Sequence, residues 1–321
     1  MDCVLGLSAL HLQYLKQEIS PRRAISYRVR AFEGYRKAIE RANPNDFPAL
    51  LACSLLLCAL ASQTFREPDA KDVFLIDWMI VWRGIGLIVE LITPEAMFAS
   101  GMQMLFNRPR LDLDKAALRI PNNLLFMVTS IKDGDVDFPY RDAYYDTLKY
   151  LGALYLELEA GFSPILDLSI ITFFTFLPKP FIEVARQRRP RSLIILVYYA
   201  VFAKLIDRVW WMEGIADREI LGICRMLSDE WLPLLQVPRM AVRVQNKVDL
   251  ATLLLGNHAW EPSLEEDRPD PRDKTLAILD DYGQEVEYVG RWVTRLTFAP
   301  RPGESRDMME TGPHFRGDTV L

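Results

Sequence analysis

Leu193 to Ala203 is a run of eleven residues without a charge (LIILVYYAVFA), and it limits what this chain can fold into. A helix that is apolar on every side belongs at the centre of a bundle, not on its surface. The run leads to Trp210, Trp211 and Met212, where Gly214 supplies a stop. Asp217, with Glu219 in the following turn, has N-cap chemistry for a second helix. Its apolar face is Ile220, Ile223, Met226 and Leu227. The stretch from Arg189 to Trp231 therefore predicts two helices joined by a tight turn.

The rest of the chain repeats the three-and-four apolar spacing between proline breaks. Ser20 and Pro21 start a helix whose stripe is Ala24, Tyr27, Ala31, Tyr35, Ala38 and Ala42. Asn43 to Pro48 is a loop, and Ala49 to Phe65 an apolar helix. Trp78, Trp82, Ile85 and Val89 mark another, with a further helix from Pro94 to Phe106. Helices follow over 121–131, 140–160, 163–177, 181–187 and 239–255. No segment alternates as a strand would. The fold class predicted is all-α, a multi-helix bundle of about ten helices around an apolar central one.

Residues 2–260 form the predicted helical regulatory, ligand-binding domain, and 261–274 a charged, proline-containing linker. Over 275–298, Leu279, Tyr282, Val286, Val289, Val293 and Leu296 trace a short heptad-like seam, which predicts a C-terminal amphipathic helix. The polar tail 299–321 reads as disordered.

The net charge of −5 over 321 residues gives no overall basic surface for nucleic acid. Cys3, Cys53, Cys58 and Cys224 form no C-x-x-C pair, so reduced thiols and an intracellular setting are expected. No uncharged apolar run is read as reaching about 18 residues, so no membrane span is expected.

Candidate chemistry is sparse. Asp133, Asp135 and Asp137 resemble the start of a calcium loop. Phe138 stands where the turn glycine should be and Tyr144 where the bidentate glutamate should be, so an acidic turn is the reading. Asp280, Asp281 and Glu285 resemble the acidic helix motif of terpene synthases without a second magnesium motif. A solvated helix face accounts for them. His11, His258 and His314 have no nucleophile-elbow serine or cysteine to serve. No catalytic residue, metal ligand or cofactor is assigned. Arg186, Arg188, Arg189 and Arg191 form the one dense basic cluster, either a nuclear-import signal or favourable charge ending a helix.

A series of phrases carries a family resemblance. It comprises Ser8 to Leu12 (SALHL), Trp78 with Arg83 and Gly84 (W-x4-R-G), Pro190 to Ile194 (PRSLI), the pair Trp210 and Trp211, and Trp231 to Pro233 (WLP). Over residues 2–240 the chain resembles the regulatory half of fungal zinc-binuclear-cluster transcription factors of the sterol-uptake-regulator type. The resemblance implies an all-helical domain that binds a sterol in an apolar pocket, forms a homodimer, and controls nuclear import and transcription. The six-cysteine zinc cluster of that family is absent, so no direct DNA binding by this chain alone is expected.

Ligand-sensing regulation, in cytoplasm and nucleus, is thus the first reading. A stand-alone enzyme relative acting on an isoprenoid or polyketide is the alternative, and an interaction module a third. The apolar small molecule, sterol-like, is expected where the polar residues after the central helix meet the aromatic cluster. The residues named for it are Phe173, Phe176, Tyr199, Trp210, Trp211 and Met212. An indole offers a large apolar face and one N–H donor, which suits a hydrocarbon body with a single hydroxyl.

Overall fold

A computed structural model describes residues 1–41, 43–66, 73–93, 111–206 and 209–262, the single positions 96 and 100, and the backbone of three short strands beyond. The chain divides into two units, Met1–Pro271 and Arg272–Leu321.

The described part of the first unit is helical and contains no strand. Four helices come first: α1 (Asp2–Tyr14), α2 (Pro21–Arg41), α3 (Phe47–Ala61) and α4 (Leu75–Leu91). Then follow α5 (Leu113–Ala117), α6 (Asn122–Thr129), α7 (Arg141–Glu159), α8 (Pro164–Ile171), α9 (Lys179–Arg186) and α10 (Pro190–Ala203). The last are α11 (Ile215–Met226), α12 (Gln236–Ala241) and α13 (Lys247–Leu255). Short 3-10 turns, among them Phe173–Phe176 and Trp210–Met212, lie between them.

The all-α reading holds, and α10 is the central helix. Every residue from Leu193 to Ala203 is at most 4% exposed. It packs against α6, α7, α8, α9, α11 and α12. A helix without a polar face has to be surrounded in this way. Local chemistry sets many ends. The Ser163 hydroxyl accepts the Leu166 N–H ahead of α8, and Asn246 accepts from Val248 and Asp249 ahead of α13. That second cap explains why 239–255 is two helices and not one.

Other boundaries differ from expectation. The central helix stops at Ala203, well before the tryptophans, which form their own turn. Gly214, with φ of 77°, is the N-cap of α11 and not a helix stop. Asp217 lies inside α11, where its carboxylate takes the Lys204 ammonium at 2.7 Å. Its N-cap role is thereby corrected.

Within Pro44–Arg66 an 18-residue window has mean hydropathy of 1.7, long and apolar enough to cross a membrane by length and composition. This corrects the sequence reading on length. Half of that window is buried inside the unit, where α3 packs against α1, α2 and α4.

The second unit departs most from its reading. Where the heptad-like seam predicted a helix over 275–298, the described backbone forms an antiparallel three-stranded sheet. Its strands are β1 (Ile278–Leu279), β2 (Glu285–Val289) and β3 (Trp292–Arg295), in the order β1-β2-β3. Val286 faces Arg295 and Val289 faces Trp292 in the register. Glu285 to Val289 reads E-V-E-Y-V, an alternation rich in β-branched and aromatic residues, and that preference overrides a seam of two and a half repeats. The proposed linker from 263 on, the tail 299–321, the Pro94–Phe106 helix apart from Ala96 and Ser100, and the Asp280–Asp281 pair lie outside the described residues.

Candidate functional site

A cavity of about 450 Å³ opens between α2, α3 and α4. Phe32 and Ile39 of α2, Leu50 and Leu57 of α3, and Ile80 and Ile88 of α4 form its walls. Ala31 is the one buried residue of α2, so the larger side chains of that helix meet α3 and α4 without closing the space between them. Gly84 adds room on the α4 side, where a Cβ would meet nothing within 4 Å. No charged side chain lines it. Its polar groups are the hydroxyls of Tyr35 and Ser54. The Ser54 hydroxyl donates to the Leu51 carbonyl at 2.6 Å. Burial pushes the Tyr35 phenol up to about 12, partly opposed by its hydrogen bond with Ser54. The phenol therefore stays neutral at ordinary pH. The lining is apolar apart from two hydroxyls, and the volume falls in the range of small-molecule pockets.

The six aromatic and methionine positions expected to bind a ligand fall into separate places: Phe173 with Tyr199, Phe176 apart, and the turn Trp210–Met212. Phe173 stacks on Tyr199 with centroids 4.6 Å apart, both buried. The Tyr199 hydroxyl donates to the Ile170 carbonyl at 3.1 Å, so this pair is a filled part of the core. Phe176 is exposed and stacks on Tyr150. Trp210 lies against α1, its ring 4.8 Å from that of His11, while Trp211 meets Trp78 edge-on at 6.0 Å. Met212 is buried. The Arg66 guanidinium holds this turn by donating to the carbonyls of Trp210 and Glu213. None of the six lines any of the four cavities described.

The basic cluster is also divided. Arg186 and Arg188 are exposed. Arg189 lies 2.9 Å from Asp137, and Arg191 lies 2.7 Å from Asp137 and 2.9 Å from Asp135. The acidic turn and half of the basic cluster are therefore each other's partners. Tyr144, standing where a calcium loop needs glutamate, donates its hydroxyl to Asp137 at 3.0 Å. Burial alone would raise the Asp137 carboxyl, but hydrogen bonds from Arg189, Arg191 and Tyr144 outweigh it and hold it below the usual carboxylate range. No group of three or more metal-ligating side chains occurs among the described residues.

The cavity residues escaped sequence reasoning for a physical reason. Phe32 and Ile39 sit beside the inward stripe of α2 and look like ordinary surface apolars. Only the packing of α3 and α4 makes them walls. Gly84 belongs to the W-x4-R-G phrase, which carries no signal that the glycine faces a void.

No protein-family model and no solved structure matches this chain. Over 142 residues, 43% of this chain, it is 26% identical to a Zn(2)-C6 fungal-type transcription factor of Gibberella zeae. The aligned part is 27% of that protein, so the chain spans about a quarter of the length of the relative it matches. The likeness is to a fungal Zn(2)-C6 transcription factor over part of the chain, and it does not single out the sterol-regulator type.

Proposed function

We propose that this chain is a ligand-sensing regulatory part of a transcription regulator acting in the nucleus. It holds a sterol, or a similar apolar molecule with one hydroxyl, between α2, α3 and α4. The observation that carries the ligand class is the cavity itself. Its walls are hydrocarbon and aromatic, and its polarity is confined to the hydroxyls of Tyr35 and Ser54. The regulatory part of the proposal rests on the likeness to the Gibberella zeae factor. Ligand and helices would be coupled simply: a molecule that fills the cavity stabilises the arrangement of α2 on α3 and α4 over any in which α2 has left.

Binding of a fluorescent sterol to the purified chain tests the ligand. Saturable binding that Gly84→Phe abolishes, without loss of helicity, is the expected result. No binding, or binding untouched by Gly84→Phe, would exclude this cavity. Fusing the chain to an unrelated DNA-binding domain tests the regulatory role separately. Reporter output should change with sterol supply.

A further inference from the structure

Cys3 on α1 and Cys53 on α3 are far apart in sequence and adjacent in the fold. Both line a second cavity of about 220 Å³, together with Asp2, Arg30 and Tyr35. Both belong to the small apolar cluster that joins the first three helices. Cys3 is buried and Cys53 is partly exposed, and both line this cavity. We propose that Cys3 and Cys53 are a redox modification site, at which a hydroperoxide converts the two thiols into a disulfide bridging α1 and α3.

The two cysteines differ from the others in this chain. Burial pushes the Cys58 and Cys224 thiols up, as expected of inert core sulfurs. The Cys53 thiol is pulled down, first of all because the Cys3 thiol hydrogen-bonds to its sulfur, and burial only partly opposes this. Cys3 is raised by the same hydrogen bond. The pair thus offers one attacking thiolate and one protonated neighbour within reach, the arrangement that peroxide chemistry requires.

The steps balance. The Cys53 thiolate attacks one peroxide oxygen, the O–O bond breaks, and the other oxygen leaves with a proton as water or an alcohol. Cys53 is now a sulfenic acid. The Cys3 sulfur attacks the Cys53 sulfur, the S–O bond breaks, and the departing hydroxide takes the Cys3 proton as water. The two sulfurs together lose two electrons and the peroxide gains them. The bridge would fasten α1 to α3 beside the apolar cavity, since Tyr35 and Leu50 line both cavities. The inference does not depend on what the larger cavity binds.

The test uses the full chain, reduced, then treated with hydrogen peroxide, quenched in acid and alkylated under denaturing conditions. Of the four cysteines, Cys58 and Cys224 should remain alkylatable, and a peptide linking Cys3 to Cys53 should appear without reductant. All four thiols surviving, or a bridge between any other pair, would overturn the proposal. Cys53→Ser should abolish the rapid loss of thiols. Cys3→Ala keeps the argument decidable should that variant not fold. It should leave a Cys53 sulfenic acid that dimedone traps, and should slow iodoacetamide alkylation of Cys53 at neutral pH by tenfold or more. Alkylation at the unmutated rate would show that Cys3 does not activate its neighbour.

Discussion

The Arg191 guanidinium lies 2.7 Å from the Asp137 carboxylate and ties the loop before α7 to the first turn of the central helix. A cation at a helix N-terminus is unfavourable against the helix dipole. Here two carboxylates, Asp135 and Asp137, offset that cost, and Arg189 adds a second cation to Asp137 at 2.9 Å. Asp137 is 2% exposed, so its charge is largely removed from water and satisfied by these neighbours. The cluster sets where α10 enters the bundle.

Asp137→Asn should destabilise the helical unit by about 3 kcal/mol, the low end for breaking a buried ion pair, because both arginines keep some contact with water. Urea denaturation of the variant against the parent measures this. Arg191→Lys should recover little, since a single ammonium cannot bridge Asp135 and Asp137 as the guanidinium fork does.

The same carboxylate predicts an acid limb. Its folded pKa is depressed, so the stability it contributes is fully present above the unfolded value, near 3.9. That stability is lost as pH falls through the folded value. Between pH 7 and about 5 this group should leave stability flat, and below about pH 4 stability should fall. In Asp137→Asn that part of the acid slope should be missing, which melting curves at stepped pH would show.

The cluster also shows what the sequence could and could not disclose. Asp135, Asp137, Arg189 and Arg191 were each legible as a charge run, and the pairing was not, because it spans more than fifty positions. The eleven-residue apolar run was enough to place α10 at the centre, since such a helix has no alternative. The cavity between α2, α3 and α4 was not legible. A void is a property of how three helices meet, and neither Phe32 nor Gly84 carries a local mark of it. The tryptophan pair drew attention by chemical size, yet its two rings diverge, one to His11 and the other to Trp78. The strands over 278–295 are hard to read because each is only two to five residues long, too short for an alternating pattern to outweigh apolar residues spaced three and four apart.

Two glycines should respond oppositely to the same change. A Cβ on Gly84 meets no atom within 4 Å, so Gly84→Ala removes helix-interior flexibility at no steric cost. It should stabilise by about 0.5–1 kcal/mol. A Cβ on Gly152 of α7 would run into the Ala116 carbonyl oxygen of α5, a backbone atom that no rotamer change can move. Gly152→Ala should destabilise by about 1–3 kcal/mol or more. Melting temperatures of the two variants should therefore move in opposite directions. A common direction would contradict the close contact of α5 with α7.

Lys204 carries the last prediction. It is the C-cap residue of α10, where a cation is favoured by the helix dipole. Its ammonium reaches the Asp217 carboxylate of α11 at 2.7 Å, and the carbonyls of Ala241 and Val242 at 2.9 and 3.1 Å. Three acceptors match the three donors of one ammonium, and the side chain is 11% exposed, so little water competes. Those two carbonyls end α12, so a single side chain fastens the end of the central helix to both α11 and α12. Lys204→Met keeps the apolar stem and removes the donors. It should cost about 2–3 kcal/mol, because two carbonyls and a carboxylate lose a charged partner. Asp217→Asn alone should cost less, since Lys204 keeps both carbonyls. The double variant should be less destabilised than the sum of the two single ones, because the Lys204–Asp217 contact is counted in both. Chemical denaturation of the four proteins measures the coupling, and strict additivity would show that Lys204 acts through the carbonyls alone.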